Sequence, residues 1–294
     1  MLFALLVVAA TPPAPPGMVH IVGGAHTRGH ENATRADEKP RVDVVVSGFF
    51  IDEALVSVDD FAVFVDATQH RTSGERLGFG YVAILGMKDW EWKQAPAAWW
   101  RRPFGALIEF ENRGDLPVTQ VSWVDADAYC RWKKKRLPRE VEWEVAMGAG
   151  SRARYPWGDA PRREDGKYGL NHWQGAETGE EHSKNFLDDG FLYLSPVRAF
   201  PPNKNGVYDP VGNVWQLTND WYDAYEFAKE AARVAKGEVV KDPQGPATGT
   251  RKITRGGSWW CSARTCHGFG LWYRGKNDVD AAFNNVGFRC VISE

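Results

Sequence analysis

Regular hydrophobic periodicity is scarce in this chain, and that scarcity constrains the fold more than any single motif. The longest ordered pattern is 117–150, "PVTQVSWVDADAYCRWKKKRLPREVEWEVAMGAG". "PVTQVSW" alternates like a short strand. Ser122 can cap a helix with Asp125 at its third position, and Ala126, Tyr129, Cys130 and Lys133 follow at helical spacing. Pro138 opens a second helix, Glu140 suits its positive N-terminal end, and Gly148 stops it. Upstream, "SVDDFAVFVDATQ" predicts a helix capped by Ser57 and Asp60, with Phe61, Phe64, Val65 and Thr68 on one face. "GMVHIVGGAHTRGH" reads as a strand, a glycine turn and a second extended piece; "RVDVVVSGFFIDEALVS" reads as one or two strands. Between these islands the pattern dissolves. An aromatic-rich loop is expected over 72–115, and mostly turns over 151–253, apart from a helix within 223–236. The end, "KITRGGSWW" to "NNVGFRCVIS", predicts two or three strands with long excursions.

Composition explains how such a chain can still fold. It holds 14 Trp, 30 Gly and 17 Pro in 294 residues. Each Trp buries a large area, whereas Gly and Pro interrupt regular elements. Short elements and long ordered loops pinned by aromatic plugs follow, with most Trp acting as core filler. No internal repeat or domain boundary is visible, so 18–294 reads as one compact α+β domain with little regular secondary structure. Net charge is −2 with no long basic block, which argues against nucleic acid or an anionic membrane as partner. The apolar run from Leu2 to Ala10 is too short to span a bilayer. We read 1–17 as a signal peptide or a disordered tail. No Lys or Arg precedes the run, so a mis-assigned start is the alternative to export. An exported or periplasmic destination is favoured over a cytoplasmic one.

The four cysteines are Cys130, Cys261, Cys266 and Cys290, and two of them share the stretch "RGGSWWCSARTCHG". Four cysteines allow three complete pairings. A Cys261–Cys266 bridge can be a small structural staple, or both can be buried inert thiols. The functional alternative is a metal or redox pair. Two thiolates select soft ions such as Cu(I) or Zn. A structural zinc site wants four ligands, and apart from the adjacent His267 no second Cys or His pair has the usual spacing. Two sulfurs alone suit Cu(I).

The segments "PVTQVSWVDADAYCRWKKKRLPREVEWE", "YPWGD", "NHWQG", "DGF", "PPNKNGVYDPVGNVWQLTNDWY", "RGGSWWC" and "NNVGFRC" follow one another in an order and spacing that resembles the formylglycine-generating enzymes, the sulfatase-modifying factors. The similarity runs from about Met18 to Cys290. It implies an irregular domain of the formylglycine-generating-enzyme type, related to C-type lectin domains. Related sulfoxide synthases lack the cysteine pair and carry an iron-binding histidine set in an additional domain, so the pair points to the formylglycine-generating branch. The resemblance implies a copper-dependent oxidase that uses O2 and a thiol reductant. It would convert the cysteine of a Cys-x-Pro-x-Arg motif in an unfolded sulfatase segment to Cα-formylglycine. Cys261 and Cys266 would bind Cu(I), with the substrate thiol as third ligand. A hydrogen would leave the substrate Cβ, and the resulting thioaldehyde would hydrolyse. Ser258, Asn285, Trp215 and Arg274 match positions lining the family's cleft, Ser258 and Asn285 as oxygen-pocket or cysteine-bonding residues. For Trp215 and Arg274 structural support is the alternative role.

The resemblance further implies a Cys130–Cys290 disulfide and two structural calcium sites. Asn171 and Asp189, with the carbonyls of His172 and Phe191, match one. Asp209, Gly212, Val214 and Gln216 match the other, where Gln216 replaces the usual Glu and should weaken or empty the site. Thr265 stands where Tyr is usual, "HGFGL" replaces a basic stretch, and "LPREVEWE" and "NVWQLT" also depart from the family pattern. These changes leave the peptide substrate open. Another thiol or peptide substrate on the same fold is one alternative. A non-catalytic lectin-like binding module is another. A monomer is expected.

Overall fold

Local hydrogen bonding explains where the helices of this protein begin. A computed structural model describes residues 13–31, 33–88, 91–175, 186–262, 266 and 270–294. In chain order the elements are β1 (Met18–Ile21), β2 (Gly24–Arg28), β3 (Val42–Val46), β4 (Phe49–Asp52), α1 (Val58–Thr68), α2 (Ser73–Leu77), β5 (Phe79–Val82), β6 (Lys93–Pro96), α3 (Trp123–Trp132) and α4 (Glu140–Gly148). Then come β7 (Trp215–Trp221), α5 (Glu226–Val234), β8 (Arg251–Arg255), β9 (Arg274–Asp278), β10 (Val286–Gly287) and β11 (Val291–Ser293). Ser57 and Asp60 form a reciprocal capping box at α1, and Ser122 and Asp125 do so at α3. Each box satisfies two backbone donors that a helix start otherwise leaves unpaired. Arg139, one residue after Pro138, caps α4, and its backbone N–H donates to Glu142 at 2.7 Å.

Three expectations need correction. "PVTQVSW" forms no strand. Gln120 takes a left-handed φ of 56°, which breaks the extension, and the backbone there makes single bonds instead: Val118 N–H to the Val56 carbonyl and Gln120 N–H to the Phe283 carbonyl. The 72–115 stretch is not only loop. Thr72 and Glu75 form a third capping box at α2, and β5 pairs with β6. Within 151–253, β7 lies in the interior of a sheet.

The sheets are small and built from distant segments. A three-stranded antiparallel sheet runs β1-β4-β11, so the chain's two ends flank β4. The largest sheet runs β10-β7-β8-β9, with β10 parallel to β7 and the remaining pairs antiparallel. The core is continuous, and five tryptophans at 100, 143, 173, 259 and 260 are fully buried in it. Indoles in such positions need partners. Trp143 donates to the Gln216 side chain at 3.0 Å, and Trp259 to the Asn284 carbonyl at 3.3 Å. Cys130 on α3 is bridged to Cys290 just before β11, with Cα atoms 5.7 Å apart. Leu2–Ala10 lies outside the described residues. Among the described residues, no helix is long and apolar enough to cross a membrane.

Candidate functional site

The loop after β8 carries the close cysteine pair. Gly256 and Gly257 both take positive φ, 95° and 78°, which turns the chain out of the sheet. At Gly256 a side chain would also meet the Trp143 ring. The turn places Ser258 and Cys261 inside the core. Cys261 and Cys266 are paired, with Cα atoms 5.5 Å apart. The two sulfurs differ in environment: Cys261 is fully buried, while Cys266 is half-buried in a left-handed conformation with φ 49°. His267 and Thr265 lie outside the described residues.

Ser258 is the polar neighbour of the buried sulfur. Its Oγ lies 3.7 Å from Cys261 Sγ. The same oxygen accepts from Asn285 Nδ2 at 2.9 Å and from the Trp260 N–H at 3.3 Å. A hydroxyl has one donor and two acceptor positions. With both acceptor positions filled, the Ser258 proton points to sulfur. Ser258 and Asn285 are themselves buried, at 0% and 2% exposure, so this donor acts where solvent does not screen it.

Backbone bonds fix the same cluster. The Trp215 N–H donates to the Asn285 carbonyl at 2.8 Å, and the Trp173 N–H donates to the Cys261 carbonyl at 2.9 Å. Asn213 is the hub that sequence reasoning missed. Its carbonyl accepts from the Trp259 N–H, and its Oδ1 accepts from Asn171 Nδ2 and the Ser195 N–H. Its φ of 61° after Gly212 is the conformational trace that "VGN" leaves in the sequence. Four of the six expected cleft residues therefore meet: Cys261, Cys266, Ser258 and Asn285, with Trp215 one backbone bond away and its ring 5.4 Å from that of Tyr273.

Arg274 is held in a different setting. Its guanidinium donates twice to Glu140, at 2.8 and 3.1 Å, and to the carbonyls of Asp37 and Asp223. Glu140 also pairs with Arg28 at 2.6 Å and Arg255 at 2.8 Å. All four side chains are almost fully buried. Burial alone would raise the Glu140 carboxyl, but Arg274, Arg28 and Arg255 outweigh it and hold it well below the usual range. Glu230 also pairs with Arg28, at 2.9 Å, yet burial pushes its carboxyl up to about 7. This network joins β2, α4, α5, β8 and β9. Nothing in the local sequence marks it, because its members lie at 28, 140, 230, 255 and 274.

The two expected calcium sets differ in what their atoms already do. Asn171 Oδ1 is buried with no hydrogen-bond partner. The Asp189 carboxylate is buried and accepts the N–H groups of His172 and Phe191, at 2.9 and 3.0 Å. An orphaned amide oxygen and a buried carboxylate are oxygen donors of the kind a hard cation takes, while the His172 carbonyl of this set already accepts from Gln174 Nε2 at 2.9 Å. In the other set, Gln216 Oε1 accepts from Trp143 and from Arg289 Nε at 2.9 Å. Arg289 also donates to the Asp209 carbonyl at 3.0 Å, as does Gln216 Nε2. Burial pushes the Asp209 carboxyl up to about 6, and the guanidinium supplies the positive charge locally. That set does not fit a further divalent cation. Gly212 is required there sterically, since a side chain would strike the Asn171 carbonyl, and Val214 is fully buried. Among the described residues, no group of three or more His, Cys, Asp or Glu side chains is arranged to hold a metal.

Comparison with known proteins places this geometry. Residues 5–294 match the sulfatase-modifying factor enzyme 1-like domain family. The chain is 38% identical to the formylglycine-generating enzyme of Thermomonospora curvata, across 93% of this chain and 92% of that one. It is also 34% identical to the inactive C-alpha-formylglycine-generating enzyme 2 of Mus musculus, across 95% and 86%. The structure of PvdO from Pseudomonas aeruginosa shares the fold with a TM-score of 0.66 at 21% identity, covering 94% of both chains. With its irregular α+β domain, its two cysteine pairs and this match over nearly its whole length, the chain belongs to the sulfatase-modifying factor enzyme 1-like family.

Proposed function

We propose that this protein oxidises the cysteine of a Cys-x-Pro-x-Arg segment in sulfatase polypeptides to Cα-formylglycine, consuming O2 and a thiol reductant. The observation that carries the reading is the Cys261–Cys266 pair with the Ser258 hydroxyl aimed at the buried sulfur. Family membership supports the reaction class. The inactive relative makes catalysis by this chain a matter for assay.

The difference between the two sulfurs supports a division of labour. An incoming thiolate attacks the more accessible sulfur of a disulfide and releases the other as thiolate. Here attack falls on Cys266 and releases Cys261, where the Ser258 O–H receives the developing charge. A second thiol then frees Cys266. The reduced pair is a two-sulfur site for Cu(I), which would supply one-electron chemistry towards O2 that side chains cannot perform. Ser258 and Asn285 keep Cys261 oriented and charged. Arg274, locked on Glu140, braces β9 beside Tyr273 and Trp215. Calcium is carried to the Asn171–Asp189 set alone, where it would brace the segment whose Trp173 N–H holds the Cys261 carbonyl.

The test combines the reduced protein, Cu(I), a Cys-x-Pro-x-Arg peptide, a thiol reductant and air, with the peptide mass followed over time. Conversion of cysteine to formylglycine, lost in Cys261→Ser and Cys266→Ser, is expected. Peptide binding without conversion would identify a non-catalytic member of the family. Conversion undiminished in Cys266→Ser would overturn the role of the pair.

A further inference from the structure

The cysteine loop is a long excursion between neighbouring strands. β8 ends at Arg255, β9 begins at Arg274, and these two residues pair at the end of the ladder. Backbone pairing closes the loop at this base, eight residues after Cys266. A second closure lies farther up. The Arg255 guanidinium donates through Nη2 to the Leu271 carbonyl, five residues after Cys266. A side chain at the loop's entrance therefore holds its exit.

That guanidinium is itself fixed. Arg255 pairs with Glu140 at 2.8 Å and with Glu144 at 3.2 Å, and its Cζ lies 5.2 Å from the centre of the Trp143 ring. The two carboxylates compensate its charge and aim the fork at Leu271. Leu271 is buried, and its N–H donates to the Arg154 carbonyl at 2.8 Å. Close approach at this point needs glycine before it: a side chain at Gly270 would come within 2.6 Å of the Arg154 carbonyl.

The two cysteines depend on these posts differently. Cys261 is anchored where it stands, since its N–H donates to the Ser258 carbonyl at 3.0 Å and its carbonyl accepts the Trp173 N–H at 2.9 Å. Cys266 lies midway, five residues from Cys261 and five from Leu271. Once the bridge opens, the position of Leu271 governs how often the Cys266 thiol meets Cys261.

We propose that Arg255 is a positioning residue for the cysteine pair: by tying Leu271 to the loop's entrance it keeps Cys266 beside Cys261 after the bridge is reduced. The inference rests on the proposed reaction in one respect, that the pair cycles between bridged and reduced forms. Releasing Leu271 lengthens the tether from Cys266 to its next closure from five residues to eight. Effective concentration falls roughly as the −3/2 power of tether length, so about a twofold loss follows from length alone. Loss of preorganised geometry adds to it. A lower effective concentration disfavours the bridge, and the reduced form gains.

The test equilibrates the full-length protein, without copper or peptide, in anaerobic buffers of reduced and oxidised dithiothreitol. Two electrons and two protons pass from dithiothreitol, which closes to its cyclic disulfide, to the Cys261–Cys266 bridge, which opens to two thiols. Alkylation and peptide masses then give the reduced fraction, with Cys130–Cys290 counted on its own peptides. Arg255→Lys keeps a charge opposite Glu140 and Glu144 but lacks the fork that also reaches Leu271. Its equilibrium constant for reduction should rise about twofold or more, where tenfold corresponds to ~30 mV. Gly270→Ala pushes the exit off the Arg154 carbonyl without touching Arg255, should shift the equilibrium in the same direction, and decides alone if Arg255→Lys does not fold. Glu230→Gln alters the same buried network at Arg28 and should keep the wild-type constant. A wild-type constant in folded Arg255→Lys, or an equal shift in Glu230→Gln, would overturn the assignment alone. A wild-type bridge that no dithiothreitol ratio opens would overturn it together with the proposed reaction. The expected shift supports it whether or not the protein converts a peptide.

Discussion

Replacing Ser258 by Ala isolates what the hydroxyl does for the buried sulfur. The substitution removes one donor, 3.7 Å from Cys261 Sγ, and the acceptor of two others, Asn285 Nδ2 and the Trp260 N–H. The two losses have separate signatures. A hydrogen bond to a charged group is worth ~1.5–3 kcal/mol, and one pKa unit corresponds to about 1.36 kcal/mol. The Cys261 thiol in the reduced protein should therefore titrate about 1–2 units higher in Ser258→Ala. Asn285 Nδ2, a buried donor that loses its Ser258 acceptor, should lower the stability of the same variant by roughly 1–3 kcal/mol. The assay is a thiolate absorbance titration in a Cys266→Ser background, where Cys261 is the one free thiol while Cys130–Cys290 stays bridged. Because protons compete with metal for thiolate, Cu(I) affinity near neutral pH should fall in step with the pKa rise. Identical titration midpoints with and without Ser258 would refute the argument, even if activity fell, because activity can also be lost through misplacement of the loop.

Three further outcomes follow from the same network. Removing calcium with EGTA should lower the melting temperature of the wild type, because a ligand bound only by the native state stabilises it; Asp189→Ala should melt lower and lose the EGTA response. No EGTA response in the wild type would remove calcium from that site. Glu140→Gln leaves Arg28, Arg255 and Arg274 with less compensation in the core, so a loss of roughly 3–5 kcal/mol in denaturant unfolding is expected, and a loss within experimental error would contradict the buried network. Glu230 and Asp220, both pushed up to about 7 by burial, keep their protons in the native state while the unfolded chain releases them above about pH 4. The native state then binds more protons, so their contribution to stability falls as pH rises from about 4 to 7 and levels off above. Glu230→Gln should flatten that slope in unfolding curves measured across the interval; an unchanged slope would count against it.

Part of what forms within one turn of chain was legible in the sequence, although the Thr72/Glu75 capping box was not read. The capping boxes at Ser57/Asp60 and Ser122/Asp125 formed as read, because each closes through hydrogen bonds between residues three apart. The bridge between Cys130 and Cys290 was also anticipated, though through family resemblance, since nothing local links residues 160 apart. The irregular α+β character followed from the density of Trp, Gly and Pro.

Tertiary structure decided what lies between segments. "PVTQVSW" has a strand's alternation, yet its partners are single backbone groups at Val56 and Phe283, and Gln120 turns left-handed to reach them. Glu140 read as a residue suited to a helix N-terminus, and it became the common partner of Arg28, Arg255 and Arg274. Gln216 read as a weakened calcium ligand, and Arg289 and Trp143 occupy its oxygen. The sequence named the two close cysteines but not their difference: Cys261 is buried in the core with the Ser258 hydroxyl beside its sulfur, while Cys266 is half-exposed. Periodicity and capping are short-range properties carried by neighbouring residues. The partner of a buried charge is settled by which distant segments exclude water together, and no window along the chain contains that information.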